Sequence, residues 1–269
     1  KKLYDFLREM EFNRLLSSVI STYGEIDFKK DFKEKNKESL TKISNENYFL
    51  VDNEKDIKKW LAEAEEKGEL AIDTETTSID PHQAKLVGIS ISTKIGKACY
   101  IPINHEKGKN LKEENVLKII KPTLEDKSIK KIGQNIKFDY TILFHRGIKM
   151  NSMEDTMLMS YVLDAGKNRH NMNTLSEIHL GHNPITFKDL VGTGKKQINF
   201  SQVEIEKAKN YSAEDADITL RLYKKFLKNL KSENLINIYE IFEKPLIQIL
   251  AQMEINGIKV NEKFLKKLS

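Results

Sequence analysis

Leu70-Ala71-Ile72-Asp73-Thr74-Glu75 decides how this chain reads: three apolar residues run straight into Asp-Thr-Glu. Alternate residues of a strand project to one face, so Asp73 and Glu75 are expected in a single site while Thr74 points away. Two carboxylates presented together suit a hard divalent cation. Alone the pattern is weak, since a chain with this Asp and Glu content should hold about one D-x-E by chance. A second one exists, Asp52-Asn53-Glu54, but it leads into Asp56-Ile57-Lys58-Lys59-Trp60-Leu61, which reads as a helix start. Its acids therefore read as a cap and first-turn partners of the helix dipole.

Two further acidic segments match Asp73 and Glu75. In Gly133-Gln134-Asn135-Ile136-Lys137-Phe138-Asp139 a short apolar stretch gives way to a helical pattern, which places Asn135 and Asp139 at i and i+4 on one helix face. In Tyr211-Ser212-Ala213-Glu214-Asp215, Tyr211 and Asp215 share a face of a long helix opened by the capping box Ser201-x-x-Glu204. Glu214 and Asp217 fall elsewhere around that helix and are expected to be solvated or to stand behind the site.

The order of elements is readable between these segments. Strands at Leu70–Glu75, Leu86–Ser92 and Ala98–Ile103, joined by short turns containing Asp80-Pro81 and Gly96, predict an antiparallel meander. Helices are predicted near Lys112–Leu124, Asn135–Arg146, Asp155–Leu163, Thr174–Leu180 and from Ser201 onward. A strand at Ile129–Gly133, lying between helices, implies a parallel addition to the sheet. The fold class is α/β, a layered mixed sheet flanked by helices.

Taken together, the three acidic segments resemble the exonuclease motifs of the 3′-to-5′ proofreading domain of bacterial-type (family A) DNA polymerase I, in the tyrosine branch of the DEDD exonucleases. The resemblance extends to Asp73-Thr-Glu-Thr, Val87-Gly-Ile-Ser, Tyr100-Ile-Pro-Ile, Gly133-Gln-Asn, Asp155-Thr-Met-Leu and Tyr211-x-Ala-Glu-Asp-Ala-Asp, and it covers essentially the whole chain. It implies a ribonuclease H-like fold. Phe138 stands where many relatives have Tyr, a departure expected to leave the metal site intact.

The resemblance also implies the chemistry. Cleaving a phosphodiester needs an activated water, charge relief at phosphorus and a stabilised leaving oxygen, which two divalent ions about 4 Å apart can supply. The expected ions are Mg2+ or Mn2+, with Zn2+ an alternative at the first site. Asp73 would bridge both, Glu75 and Asp215 would complete the first site, and Asp139 would support the second. Tyr211 would orient the attacking water, because an unperturbed phenol is a poor base at neutral pH. Ile79 and Phe187 match apolar positions that pack against the terminal bases of a frayed strand, while Gln134, Asn135 and Arg169 are candidate sugar or phosphate contacts.

The expected domains are an N-terminal helix and polar linker over 1–47, the end of a 5′-nuclease region in a longer parent; the exonuclease over 48–230; and helices opening a polymerase domain over 231–269, where Met253-Glu-Ile-Asn-Gly-Ile carries the likeness. The first helix is predicted from Leu3 to Tyr23 and the linker from Gly24 to Asn47. The expected partners are a single-stranded or frayed DNA 3′ end and the polymerase domain of the same parent. A stand-alone exonuclease acting on RNA ends could use the same carboxylates, and a catalytically inactive DNA-binding domain could keep the fold. The polymerase-like tail argues against the first and the complete carboxylate set against the second.

Bulk properties bound the reading. No apolar run approaches membrane-spanning length. The single cysteine, Cys99, rules out an internal disulfide and fits a reducing compartment; the resemblance implies a bacterial cytoplasmic protein, with an organellar origin as the other option, and a monomer is expected. Net charge is +5, and from Arg221 to Ser269 ten Lys and Arg face five Asp and Glu, an excess suited to a phosphate backbone. Two motifs are set aside. Gly192-Thr-Gly194-Lys195-Lys196 lacks the first Gly and the final Ser or Thr of a phosphate-binding loop, and His170, His179 and His182 fit no zinc spacing.

Overall fold

Residues 2–10, 12–23 and 43–268 are described by the structure, a computed structural model. They divide into two units, Lys1–Lys42 and Ile43–Ser269. The first holds α1 (Lys2–Glu9) and α2 (Asn13–Tyr23) where the sequence pattern predicts one helix. Chain direction changes at Met10 because the Phe12 amide donates to Leu7 O at 2.8 Å, a six-to-one closure typical of a helix end. Phe12 then meets Phe6 edge-on, at 6.4 Å between ring centroids. Most of the predicted linker, 24–42, lies outside the described residues.

The second unit opens with β1 (Tyr48–Leu50) and α3 (Glu54–Lys67). Asn53, rather than an acid, caps α3, accepting the Asp56 amide at 3.0 Å, while Glu54 and Asp56 occupy the first turn as expected. Gly68 ends the helix in the left-handed region, φ 67°, where a side chain would be strained. Then come β2 (Glu69–Thr76), β3 (Leu86–Lys94), β4 (Lys97–Pro102), α4 (Glu113–Glu125), β5 (Lys130–Gly133), α5 (Ile136–Phe144), β6 (Met153–Asp155), α6 (Thr156–Asp164), α7 (Met172–Leu180) and α8 (Phe187–Val191). The 28-residue α9 (Ile205–Ser232) is followed by α10 (Ile236–Ile238), a π turn over Tyr239–Glu243, α11 (Lys244–Asn256) and α12 (Glu262–Leu268).

The sheet order is β1-β4-β3-β2-β5-β6. Strands β2, β3 and β4 form the predicted antiparallel meander, and β5 joins β2 in parallel, also as predicted. The two edge strands β1 and β6 were not foreseen, because three residues are too few to display alternation. The result is the mixed, helix-flanked sheet of a ribonuclease H-like fold.

Strand β2 is buried on both faces. Its even-numbered Leu70 and Ile72 join a core with Ile57 and Trp60 of α3, Ile120 of α4 and Tyr140 of α5. Odd-numbered Ala71 joins a second core with Ile218, Leu222 and Phe226 of α9. Each fully buried Ile, Leu or Phe contributes on the order of 1.5–3 kcal/mol, so the two helical layers fix the pleat of β2 and hence the direction of the acids at its end.

One predicted helix start is corrected. Ser201 lies in a short 3-10 turn, Phe200–Gln202, whose capping box is Asn199 with Gln202, and α9 begins only at Ile205. Glu204 occupies the N-cap of α9 without a side-chain capping bond, its carboxylate pairing instead with Lys207 at 3.3 Å.

Candidate metal centre and groove

Strand β2 delivers Asp73 and Glu75 to the α9 face of the sheet, where Asp215 meets them: one ligand atom from each lies within 4.8 Å of the others. In the β2–β3 pairing Glu75 stands opposite Gly88. A Cβ at Gly88 would lie 2.1 Å from the Tyr100 hydroxyl, so glycine there lets the buried Tyr100 ring lie close under the site. Tyr100 is held in turn by His105 Nε2 at 2.7 Å. Ser212, one turn before Ala216 on α9, donates from Oγ to Glu75 Oε1 at 2.6 Å.

Asp139 reaches the same end of β2 from the opposite layer, in the first turn of α5. It is 2% exposed, and its Oδ1 accepts the Thr74 amide at 2.8 Å and the Thr74 hydroxyl at 2.6 Å. Thr74 does point away from Asp73 and Glu75, as strand alternation requires, but it points at the fourth acid.

The electrostatics of the cluster favour a cation. Burial pushes the Asp73 carboxyl up to about 6. Burial, and then the charge of Asp73, raises Glu75, Asp139 and Asp215 well above the usual carboxylate range. Among the described residues lining the groove at these acids, none is Lys or Arg. Clustered carboxylates, here buried at Glu75 and Asp139 and half-buried at Asp73 and Asp215, repel one another and resist ionisation when no basic partner stands among them, and a divalent ion removes both costs. Donor type, number and placement therefore fit hard cations.

Tyr211 lies one turn before Asp215 on the same helix face, as predicted. Burial, followed by the charges of Asp215, Glu75 and Asp73, drives its phenol far above the usual range, so it keeps its proton and has a hydroxyl to donate. Its ring belongs to an aromatic group with Phe200 at 6.1 Å and Phe187 at 6.5 Å between centroids.

Asp73, Thr74, Glu75, Tyr211 and Asp215 line a groove of about 640 Å³, whereas Asp139 is not part of its lining. Ile79 stands on its lip, 95% exposed, and Phe187, 44% exposed, lines it as well. Phe138 and Asn135 also face it. Asn199 Nδ2 donates to Thr77 O at 2.8 Å and so ties the segment ahead of α9 to the loop that carries Ile79.

Expectations for Asn135, Gln134 and Arg169 are corrected, and the two offered for Glu214 and Asp217 are decided. Asn135 is not on a helix face with Asp139: it is the N-cap of α5 in the left-handed region, φ 61° and ψ 47°. That conformation is held by Asp155, which accepts the amides of Asn135 and Ile136 at 3.1 and 3.0 Å and caps α6 through Met157 at 2.8 Å. Gln134 faces away from the groove, since its side chain donates to His170 O and accepts from the Thr156 hydroxyl. Arg169 is exposed on the loop after α6 and does not line the groove. Of the two options expected for Glu214 and Asp217, solvated or behind the site, the structure has both side chains buried. Glu214 binds His182 Nε2 at 2.8 Å and the Ile185 amide at 2.7 Å, which anchors the chain just ahead of Phe187. Asp217 pairs with Arg221 at 3.1 Å and accepts the Tyr48 hydroxyl.

Thr74, Asp155, Ser212 and Phe200 carry parts of this site that the sequence reading did not assign. Asp155 alone had a visible signal, an Asp directly ahead of a helical apolar pattern. The three histidines set aside earlier stay apart in role: His170 meets Ser160, His182 meets Glu214, and His179 packs edge-on against Phe226.

The profile of the 3′-5′ exonuclease family of A-type DNA polymerases matches residues 48–231. A DNA polymerase I of Rhizobium leguminosarum is 43% identical over 232 residues, covering 78% of this chain and 23% of that protein. The DNA polymerase I of Pseudomonas aeruginosa is 39% identical over 269 residues, covering 92% of this chain and 29% of the relative. This chain thus spans about a quarter of the length of these relatives. Among solved structures, the polymerase domain of M. smegmatis Pol1 with DNA primer-template and dNTP superposes with a TM-score of 0.65 at 19% identity, covering 82% of this chain and 34% of that one.

Proposed function

Since this chain belongs to the 3′-5′ exonuclease family of A-type DNA polymerases, we propose that it removes nucleotides from a frayed or single-stranded DNA 3′ end as the proofreading part of a DNA polymerase I. The observation that carries the reading is the meeting of Asp73, Glu75 and Asp215 at the floor of a groove that Ile79 and Phe187 line.

Asp73, Glu75 and Asp215 would hold one divalent ion and Asp73 with Asp139 a second, Mg2+ or Mn2+ in each case, with Zn2+ an alternative at the first. When bound, the ions supply the positive charge that offsets the scissile phosphate and make water acidic enough to attack near neutral pH. The chain's own residues do the rest. Ser212 holds one oxygen of Glu75 and leaves the other to ligate. Tyr211 donates its hydroxyl proton to orient the attacking water, a role its raised pKa suits because it cannot serve as a base. Phe187 offers a ring face to a base, and Ile79 offers an apolar wedge beside it, a pairing that tolerates any terminal base. Asn135 faces the same groove and is the remaining candidate for a sugar or phosphate contact.

The same reading assigns 1–47 to the end of a preceding region, 48–230 to the exonuclease and 231–269 to the start of a polymerase domain. Phe242, Leu246, Ile249 and Met253 recur at helical spacing and are exposed, while Ile247 and Ala251 of the same helical stretch are buried in the core. That stripe supports a contact with the polymerase domain of the parent.

Digestion of 5′-labelled single-stranded DNA and RNA with Mg2+, Mn2+ or EDTA tests the assignment. Stepwise shortening of DNA from the 3′ end with either metal, and none with EDTA, is expected. Preferential digestion of RNA, or release of nucleotides from the 5′ end, would overturn it.

A further inference from the structure

Asp73 and Glu75 lie on one face of β2 and Asp139 arrives from a helix packed on the other. Something must set the distance between carboxylates that belong to two separate layers. Thr74 is the residue between them in sequence, and it is 6% exposed. Its amide and its hydroxyl both donate to the same atom, Asp139 Oδ1, at 2.8 and 2.6 Å. A carboxylate oxygen has two lone-pair sites, so this pair of bonds occupies Oδ1 and leaves Oδ2 as the oxygen able to ligate.

We propose that Thr74 is a positioning residue of the metal centre: it selects the Asp139 oxygen presented to an ion and sets the position of that oxygen relative to Asp73 and Glu75. The inference rests on the exonuclease reading and adds to it a residue that touches neither ion nor DNA. Outer partners of ligating carboxylates act in this way, and their loss typically weakens metal affinity roughly 10- to 100-fold. The amide half of the clamp survives any side-chain substitution, so the lower end of that range is expected here.

Residue 74 offers a graded series. Thr74→Ser keeps the hydroxyl. Thr74→Ala removes it and leaves space. Thr74→Val fills the space with a methyl group, which cannot approach a carboxylate oxygen to 2.6 Å and so must push Asp139 away. A merely structural Thr74 would lower stability without touching metal binding, and metal binding can be read without turnover.

The experiment is Mn2+ titration of metal-stripped protein by calorimetry, on the unmodified chain, the three Thr74 variants and Asp139→Asn. Two sites are expected in the unmodified chain. Thr74→Val and Thr74→Ala should weaken the Asp139-dependent site about tenfold and leave the other within about twofold, and Thr74→Ser should restore it. The Mn2+ midpoint for cleavage should shift in parallel while KM for DNA stays unchanged. If Val does not fold, Ala carries the test. Unaltered Mn2+ binding in Thr74→Ala, or Ser behaving like Ala, overturns the proposal. If Asp139→Asn also keeps two sites and full cleavage, the exonuclease reading itself has failed, an outcome distinct from failure at Thr74 alone.

Discussion

Phe187 lies almost parallel to Phe200, with ring planes 10° apart and centroids separated by 6.2 Å. Phe200 is buried and Phe187 is not, so the inner ring braces the outer one and leaves part of its surface to the groove. A braced ring binds a base without first being ordered, which lowers the entropic cost of stacking.

Phe187→Ala and Ile79→Ala should therefore each raise KM for single-stranded DNA. Loss of one stacked base costs about 1–3 kcal/mol, or roughly 5- to 150-fold. Comparing single strands, 3′-mismatched and matched duplexes labelled at the 5′ end should show the preference for frayed ends shrinking in both variants. Unchanged preference would remove these residues from substrate handling. Metal binding measured by calorimetry should stay as in the unmodified chain.

Asp73→Ala and Asp215→Ala are expected to abolish metal-dependent cleavage while unfolding remains cooperative. Tyr211→Phe deletes one donor and no charge, so a loss of roughly 10- to 100-fold is expected, with metal binding retained. Rates with Mg2+ from single-turnover digestion check both. A tyrosine variant as inactive as the aspartate variants would give Tyr211 a larger role than orienting water.

The acids also set how stability depends on pH. Asp73 is raised from 3.8 to about 6, and Glu75, Asp139 and Asp215 are raised well above the usual carboxylate range as well. The folded state thus holds protons that the unfolded state releases, so stability contributed by these protons is complete below about pH 4 and is lost as pH rises through 6 and above. Metal-free protein should lose thermal stability from pH 5 to pH 8, and millimolar Mg2+ should recover it at pH 8. Asp73→Asn should flatten the metal-free profile. A scan of melting temperature against pH with EDTA or Mg2+ settles the sign.

Asp155 accepts four backbone amides, those of Asn135, Ile136, Met157 and Leu158. Asp155→Ala should destabilise by roughly 2–5 kcal/mol, because several buried donors lose their partner at once. It should also release Asn135 from its left-handed conformation and weaken DNA binding. Urea unfolding measures the first effect, and fluorescence anisotropy with labelled single-stranded DNA, under EDTA, measures the second.

The β-meander was legible because its strands are long enough to display alternation, and the four acids because each sits at a strand end or helix turn with a defined phase. Edge strands β1 and β6 offered no phase to read. The hydrogen bonds that complete the site were hidden for another reason. Thr74 and Asp139 are 65 residues apart, Ser212 and Glu75 137 apart, and Glu214 and His182 32 apart. Periodicity reports the neighbours of a residue along its own element, and these contacts are made between elements. Asn135 misled because a helical pattern looks the same whether it begins at 135 or 136, and only Asp155, far along the chain, decides.

Both faces of β2 are spoken for, the odd residues by α9 and the even ones by α4 and α5. The strand can thus absorb many changes of residue type but none of length. One residue inserted or deleted before Asp73 would turn Asp73 and Glu75 into the aliphatic layer and bring Ile72 or Thr74 to the groove. The count of residues from Glu69 to Thr76 is therefore a fixed length that the site imposes on the chain, whatever residue types fill it.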